Sequence, residues 1–412
     1  MRSKALIVAL LLALCVFAGC WDKRELEDHT FVIMLGLDKS GDDLIVTVAY
    51  PVTQTDIGGG ESQGAYAMMS AKGPTVAQAM SLFGTGLAGP LSLFSTKTLV
   101  ISEELARDDA LHHIFSSDRY EQMRNNTNVL ITSDSAAQFI AGRIENPAID
   151  PLRQEDLLLE QANYSALYRP MQLLDFMVSL RANNMDAAAM YGGVAQAAEE
   201  DEKQKNSPEG DDAHSGQQDE QQQLEQATRT GYLPGQVPLA GQNSTQISGL
   251  AVFSGNRMVG ALDTAQTQAL NMLTRSTTRK ILSLPDPHSP EDVIVVSILP
   301  TRNARVRAHL DGEQPTFEIT ARLRGNIEHI RAGADYDQDF LTEYVQGECA
   351  HQIEQLLVTL QKQYSSDLLG LGGKLARNFA TVQEWESYGW RERYPEADIR
   401  IQVELKMEST GL

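Results

Sequence analysis

From Glu199 to Arg229 the chain has almost nothing to bury. Ten acids and two bases fall between Glu199 and Glu225, interleaved with glutamine, serine and glycine and with scarcely an apolar side chain. Such a stretch cannot offset its ordering entropy with hydrophobic contacts, so it is expected to be disordered and to divide what folds into a part before it and a part after it. The composition reads as a linker over 196–245, between an N-terminal α+β domain over 20–195 and a C-terminal α+β region over 246–412. That second region is compatible with one unit or with two, about 246–290 and 291–412. With 412 residues and 42% hydrophobic content, both flanks are long enough to bury substantial cores.

Strand and helix patterns are interleaved on both sides without a steady βαβ period. The expectation is therefore a mixed α+β, multi-domain protein with antiparallel or mixed sheets. Thr30–Tyr50 reads as two strands about a turn at Lys39–Asp42, Ala65–Ala71 as a third strand, and Thr75–Phe83 as a helix. Lys97–Ser102 and Asn128–Thr132 are short strands that lead into helices through Ser102 and Ser133, and Pro170–Ala182 is amphipathic. Past the linker, Gly249–Phe253 and Met258–Leu262 form a hairpin with Gly255 in its turn, and Asp263 suits the N-cap of a helix to about Leu273.

Val293–Leu299 follows as a strand. Ala304–Leu310 and Phe317–Leu323 alternate, so that pairing them across Asp311-Gly312 puts Val306, Leu310, Phe317 and Ile319 on one side. The longest helix pattern runs from Tyr336 to about Tyr364, with a stripe of Tyr336, Phe340, Tyr344, Cys349, Ile353, Leu356, Leu357 and Leu360. At 1.5 Å per residue it would be about 40 Å long and could cover a whole sheet. Alternation of Ile399, Ile401, Val403, Leu405 and Met407 predicts a closing antiparallel strand packed on that helix.

The N-terminus reads as an address. Arg2 and Lys4 precede the apolar run Ala5–Ala18, and Ala18-Gly19 places two small residues before Cys20. An apolar run of roughly 14 residues is short for a bilayer span, so residues 1–19 are expected to be a cleaved signal peptide. Cys20 would then begin the mature chain and carry an S-diacylglyceryl group, with N-acylation left open. Phe17 stands where such a cleavage box usually carries leucine. Two acyl chains hold firmly where one is marginal, which places the protein on the outer face of the cytoplasmic membrane. Trp21 beside the anchor suits the bilayer interface.

Loss of Arg2 and Lys4 takes the formal charge from −21 to about −23. That balance disfavours nucleic acid and electrostatic adhesion to anionic head-groups, and leaves attachment to the lipid. Cys15 leaves with the signal and Cys20 is modified, so Cys349 remains alone and no intrachain disulfide can form. On its helix stripe Cys349 reads as a small buried hydrophobe.

Chemistry-bearing motifs are weak. Gly84-Thr85-Gly86-Leu87-Ala88-Gly89 matches a nucleotide-loop pattern, but it follows a helix-like run and meets Pro90, so it is read as a loop. Gly370–Gly373 likewise reads as a cap and turn. His112-His113 with Asp108 and Asp109 lacks any known ligand spacing. Catalytic, cofactor and metal residues are accordingly none, and the chain is expected not to be an enzyme. One surface feature stands out. Arg305, Arg307 and His309 share an outward face with Arg322 and Arg324, a candidate interface for an anionic partner, weighed against a solvated face balanced by Glu318.

Several of these segments together resemble one family. Cys20-Trp21-Asp22-Lys23-Arg24-Glu25-Leu26, followed by Phe31–Asp38, is similar to the start of the Ger(x)C family, the lipoprotein C subunits of spore germinant receptors. The resemblance returns in Gly249–Phe253 with Met258–Asp263, and again in Asp367–Gly372, Trp385, Trp390 and the last strand. It implies three mixed α/β domains without a known catalytic centre, a place on the spore inner membrane, integral-membrane partners of the A and B types, and a role in the response to nutrients. The alternative from another class is a lipid-anchored solute-binding protein of a transport system. That reading predicts two similar lobes around a cleft, whereas the halves here are dissimilar and joined once.

Overall fold

A computed structural model of the chain describes residues 29–52, 65–87, 89–108, 123–145, 150–195, 231–239, 245–274, 278–312, 314–331 and 336–409. The signal segment, Cys20, Trp21, His112-His113 and the acid-rich run lie outside the described residues.

Apolar runs broken by turns give ten strands in the first part. They are β1 (Thr30–Phe31), β2 (Met34–Ser40), β3 (Asp43–Val52), β4 (Ala65–Gly73), β5 (Leu91–Ser92), β6 (Thr98–Ser102), β7 (Asn128–Thr132), β8 (Ala188–Val194), β9 (Thr245–Ser254) and β10 (Arg257–Leu262). Between them run α1 (Val76–Leu82), α2 (Glu103–Ala106), α3 (Ala136–Ile144), α4 (Pro151–Asp156), α5 (Leu158–Ser165) and α6 (Leu173–Arg181), and α7 (Thr264–Leu273) follows β10. Eight of the strands form one sheet in the order β10-β9-β8-β7-β6-β2-β3-β4. Its centre is parallel and both flanks are antiparallel. Strands β6 and β7 are buried at every residue because helices cover both faces. On one face Leu99, Ile101 and Val129 meet Phe83, Phe176 and Leu180, and on the other Val100 and Leu130 meet Phe139, Ile140 and Leu158.

The sheet crosses the expected domain boundary. β8 and β9 stand on either side of the acid-rich run and pair antiparallel, with Ala188 opposite Val252 and Val194 opposite Thr245. The segment 196–245 therefore connects two strands of one sheet, and residues as far as Leu262 complete the first unit. The strand at Ala188–Val194 is small and glycine-rich, so it lacks the alternation that marks a strand in sequence.

Local chemistry accounts for several of the residues that carry the family resemblance. Asp38, at the end of β2, accepts backbone N–H groups of Ala136 at 2.7 Å and Ala137 at 3.1 Å, which satisfies the start of α3. Burial nonetheless raises its pKa, against the lowering effect of those bonds. A β-carbon on Gly36 would stand 2.8 Å from Ile140 Cδ1, so glycine lets α3 lie close on the sheet. Gly249 has φ +79°, and a β-carbon there would be 2.1 Å from the Leu262 carbonyl oxygen, so no other residue suits that bend in β9. Asp263 caps α7 by accepting from Gln266 N–H at 2.8 Å, and the Gln266 side chain returns the bond in a capping box.

The second unit contains β11 (Lys280–Asp286), β12 (Ser289–Pro300), β13 (Arg305–Asp311) and β14 (Gln314–His329). The long helix α8 (Gln338–Val358) continues into a π-helical turn at Thr359–Gln363. Then come α9 (Leu371–Leu375), α10 (Val382–Tyr388), α11 (Trp390–Arg393) and β15 (Asp398–Ser409). The β13–β14 hairpin has the expected register, with Val306 opposite Ile319 and Ala308 opposite Phe317. Strand β14 is long enough to pair with β13 through its first half and β12 through its second.

β15 differs from expectation: it pairs parallel to β14, from Thr316 opposite Asp398 onward. The connection between them runs out along α8 and back through three short helices, a crossover that returns the chain in its original direction. β15 does pack on α8, where Gln346 Oε1 accepts from Leu405 N–H at 3.0 Å. The buried stripe of α8 is Leu341, Val345, Cys349, Ile353, Leu356 and Leu357, with Leu360 in the turn that follows. Tyr336 is buried in the same core and Tyr344 packs against it, as the stripe predicts, while Phe340 is exposed, and all three close the β11–β12 turn. His288 stacks on Tyr336 and Phe340 at 4.8 and 5.3 Å, Tyr336 donates to Asp286, and Tyr344 donates to the Pro285 carbonyl at 2.6 Å.

Candidate functional site

Arg305 and Arg307 on β13 and Arg322 and Arg324 on β14 share the outward face of this sheet, opposite the buried Ile319, Ala321 and Leu323. The parallel neighbour β15 supplies acids beside them. Arg322 Nε lies 2.6 Å from Glu404, Arg324 3.2 Å from Glu408, and Arg307 3.7 Å from Glu318 on its own hairpin. The strip is thus a mixed-charge face. Exposed pairs of this kind contribute about 0–1 kcal/mol each, so their main consequence is local neutralisation.

A different cluster, buried and polar, joins the two units. It gathers the loop after α6, the tip of the β9–β10 hairpin, the segment after the π turn, and α11. Asp186 accepts the backbone N–H groups of Gly255 and Asp367, each at 2.9 Å, and Arg391 Nη2 lies 3.2 Å from it. Asp367 accepts from Leu371 N–H at 2.9 Å, Gly372 N–H at 2.8 Å and Trp390 Nε1 at 3.0 Å. Ser366 donates to the Phe253 carbonyl at 2.6 Å, and Arg391 donates to the Ala182 carbonyl at 2.7 Å. A β-carbon on Gly372 would stand 2.4 Å from Trp390 Nε1, so glycine is what lets the indole reach the carboxylate.

Burial pushes the Asp367 carboxyl up to about 6. The N–H groups of Gly372 and Leu371 and the Trp390 indole pull the other way, while Asp186 adds to the rise. Every donor named here belongs to the fold, so the arrangement clamps one unit to the other. Asp367 and Trp390 are among the residues that carry the family resemblance, and the clamp is what they do. Asp186 and Arg391 were missed in sequence, because a lone acid before an alanine run and an arginine in a charged helix carry no pattern.

Among the described residues no group of three or more His, Cys, Asp or Glu side chains is placed to hold a metal ion. A cleft of about 400 Å³ opens between the units, lined by Leu167, Tyr232, Ile281, Leu284 and Glu348 among others. Glu348 is the charged side chain of that lining. Among the described residues no helix is long and apolar enough to cross a membrane.

Comparison with known proteins places both units in one class, the spore germination proteins. Residues 22–192 match the family described as spore germination protein N-terminal domain, and residues 248–411 match spore germination B3/GerAC like, C-terminal. The chain is 22% identical to putative spore germination protein YfkR of Bacillus subtilis (strain 168), over 98% of this chain and 96% of that protein. It is 26% identical to spore germination protein KC of the same organism, over 45% of this chain and 47% of that one. The crystal structure of the GerBC protein has the same fold, with a TM-score of 0.50 at 13% identity, covering 94% of this chain and all of that one. The chain belongs to the Ger(x)C family.

Proposed function

We propose that this protein is the non-catalytic, lipid-anchored subunit of a nutrient germinant receptor on the outer face of the spore inner membrane, docked on integral-membrane subunits of the A and B types. The observation that carries this reading is the match of both units to spore germination families, over residues 22–192 and 248–411. The Gly19-Cys20 cleavage box directly ahead of the first match supports a diacylglyceryl anchor.

The geometry fits a docking module better than a carrier of small molecules. The eight-stranded sheet is continuous across the acid-rich segment, so the chain is not built as two similar lobes closing on a solute. The cleft between the units offers one carboxylate and, among the described residues, no cation to meet an amino acid's carboxylate. Germinant contact is assigned to the membrane subunits.

Isolation of the full chain from spore membranes in mild detergent is expected to bring two integral-membrane proteins with it in fixed proportion. Recovery of the chain with a transporter permease would replace the receptor reading by the solute-binding one.

A further inference from the structure

The first strand fixes where a tether leaves the folded body. Thr30 donates its N–H to the Pro90 carbonyl at 3.1 Å and Val32 donates to that of Ser92 at 3.0 Å, so β1 lies against β5. Two residues past β5, Phe94 is 57% exposed, with the Arg124 guanidinium 4.0 Å from its ring centroid. Hydrogen bonds continue from there to α6. Thr127 Oγ1 donates to the Thr96 carbonyl at 3.1 Å, Leu173 N–H to the Thr127 carbonyl at 2.8 Å, and Leu174 N–H to the Asn125 carbonyl at 3.2 Å.

Helix α6 buries Leu173, Phe176 and Leu180 against the sheet, yet it is apolar on its outer side too. Leu174 and Val178, one turn apart, are 48% and 57% exposed. An apolar corner with a cation in it therefore sits at the point where the N-terminal segment enters.

We propose that this corner, formed by Phe94, Arg124, Leu174 and Val178, rests on the phospholipid bilayer to which the chain is tethered. The apolar tips lie at the boundary of head-groups and acyl chains, and Arg124 lies among the phosphates. This inference rests on Cys20 being the lipid anchor. Nine residues carry the chain from Cys20 to His29, about 30 Å when fully extended. A compact body of this length is on the order of 55 Å across. The corner at the entry point is thus held near the bilayer, while the opposite side is beyond the tether's reach.

With a short tether the effective concentration of the surface is high, so a few side chains suffice without independent affinity. The formal charge, −21 for the full sequence and about −23 once Arg2 and Lys4 are lost, works against general adhesion, which makes a local apolar contact with its own cation the productive one. Asp175 is the exposed acid on this part of α6, and Arg169, whose pKa burial lowers and Asp175 partly restores, is the nearby cation.

The test uses the full lipidated chain in vesicles of phosphatidylglycerol and phosphatidylethanolamine. An environment-sensitive dye is attached at Phe94→Cys, at Val178→Cys, and at Val382→Cys in the second unit as comparison. Cys349 is fully buried and would not take the dye. Nitroxide-labelled lipid is expected to quench most of the emission at positions 94 and 178 and little of it at 382. If intact mass shows the diacylglyceryl group and the chain is vesicle-bound, yet 94 and 178 are quenched no more than 382, the corner does not touch lipid and the anchor stands alone. Shielding that appears only when integral-membrane partners are co-reconstituted would overturn the proposal in favour of protein docking. Absence of the lipid on Cys20 removes the anchor and this inference together.

Discussion

Asp367→Ala is expected to destabilise the protein by on the order of 4 kcal/mol, read as a loss of roughly 10 °C in Tm or a matching fall in denaturant midpoint. The carboxylate is the acceptor for three buried donors, the N–H groups of Leu371 and Gly372 and the Trp390 indole. Removing it leaves each without a partner, at about 1–3 kcal/mol per group before relaxation, and a shift of about 1 kcal/mol moves Tm by roughly 2–4 °C in a domain of this size. The bonds that cross the joint, from Asp186, Ser366 and Arg391, remain in place, so the loss falls on the segment that carries Leu371, Gly372 and Trp390. Asp367→Asn keeps one carbonyl acceptor but turns an amide N–H₂ toward donors, so it should fall between.

The two variants share a second signature. Because the folded pKa of Asp367 is raised from 3.8 to about 6, the native state binds this proton more tightly than the unfolded chain does. The contribution to stability is fully present below about pH 4 and is lost as pH rises through about 6. Both variants should remove that component from the stability–pH curve. A wild-type curve that does not change between Asp367 and Asp367→Asn would show that the group is not buried as described.

Lys280→Met works in the opposite sense and is expected to stabilise the protein by a few kcal/mol at neutral pH. Lys280 is wholly buried on β11, and its ammonium donates to the Thr278 carbonyl at 3.1 Å. Burial pushes its pKa from 10.5 down to about 7, opposed by the neighbouring Cys349, whose own thiol burial pushes up to about 12. A base whose folded pKa is depressed costs the native state most below about pH 7, and that cost fades as pH climbs toward 10.5. Wild-type stability should therefore rise over that window from this group, and the Met variant should flatten the rise. Methionine fills a comparable volume without a charge to desolvate. A less stable Lys280→Met would mean that the ammonium has a partner strong enough to offset its burial.

Much of the architecture could be read from the residues, and its limits have physical causes. The hairpin of β13 and β14 was legible because alternation and a glycine turn specify register locally. Its arginine face was legible in direction, and its balance by Glu318 on the same hairpin was legible too, whereas Glu404 and Glu408 arrive on β15 from about eighty residues away. The direction of β15 depends on the path through α8–α11, which no local pattern encodes. In α8, Phe340 stood for the neighbouring Leu341 because aromatics and leucine both satisfy an apolar stripe, and only the β11–β12 turn decides which is drawn off. The acid-rich segment marks a break in composition but not in the sheet, because β8 and β9 meet across it. Asp367 and Trp390 were visible as family residues, but their clamp needed Asp186 and Arg391 from distant segments.

The measurement that bears most directly on the central claim is germination of spores carrying Cys20→Ala, with fractionation and intact mass of the wild-type chain. The receptor-subunit reading predicts a diacylglyceryl mass on the wild type, and a variant that leaves the membrane fraction and responds poorly to nutrients. A wild-type chain without the lipid, or spores lacking the whole chain that still germinate normally on every nutrient with no redundant receptor present, would contradict it.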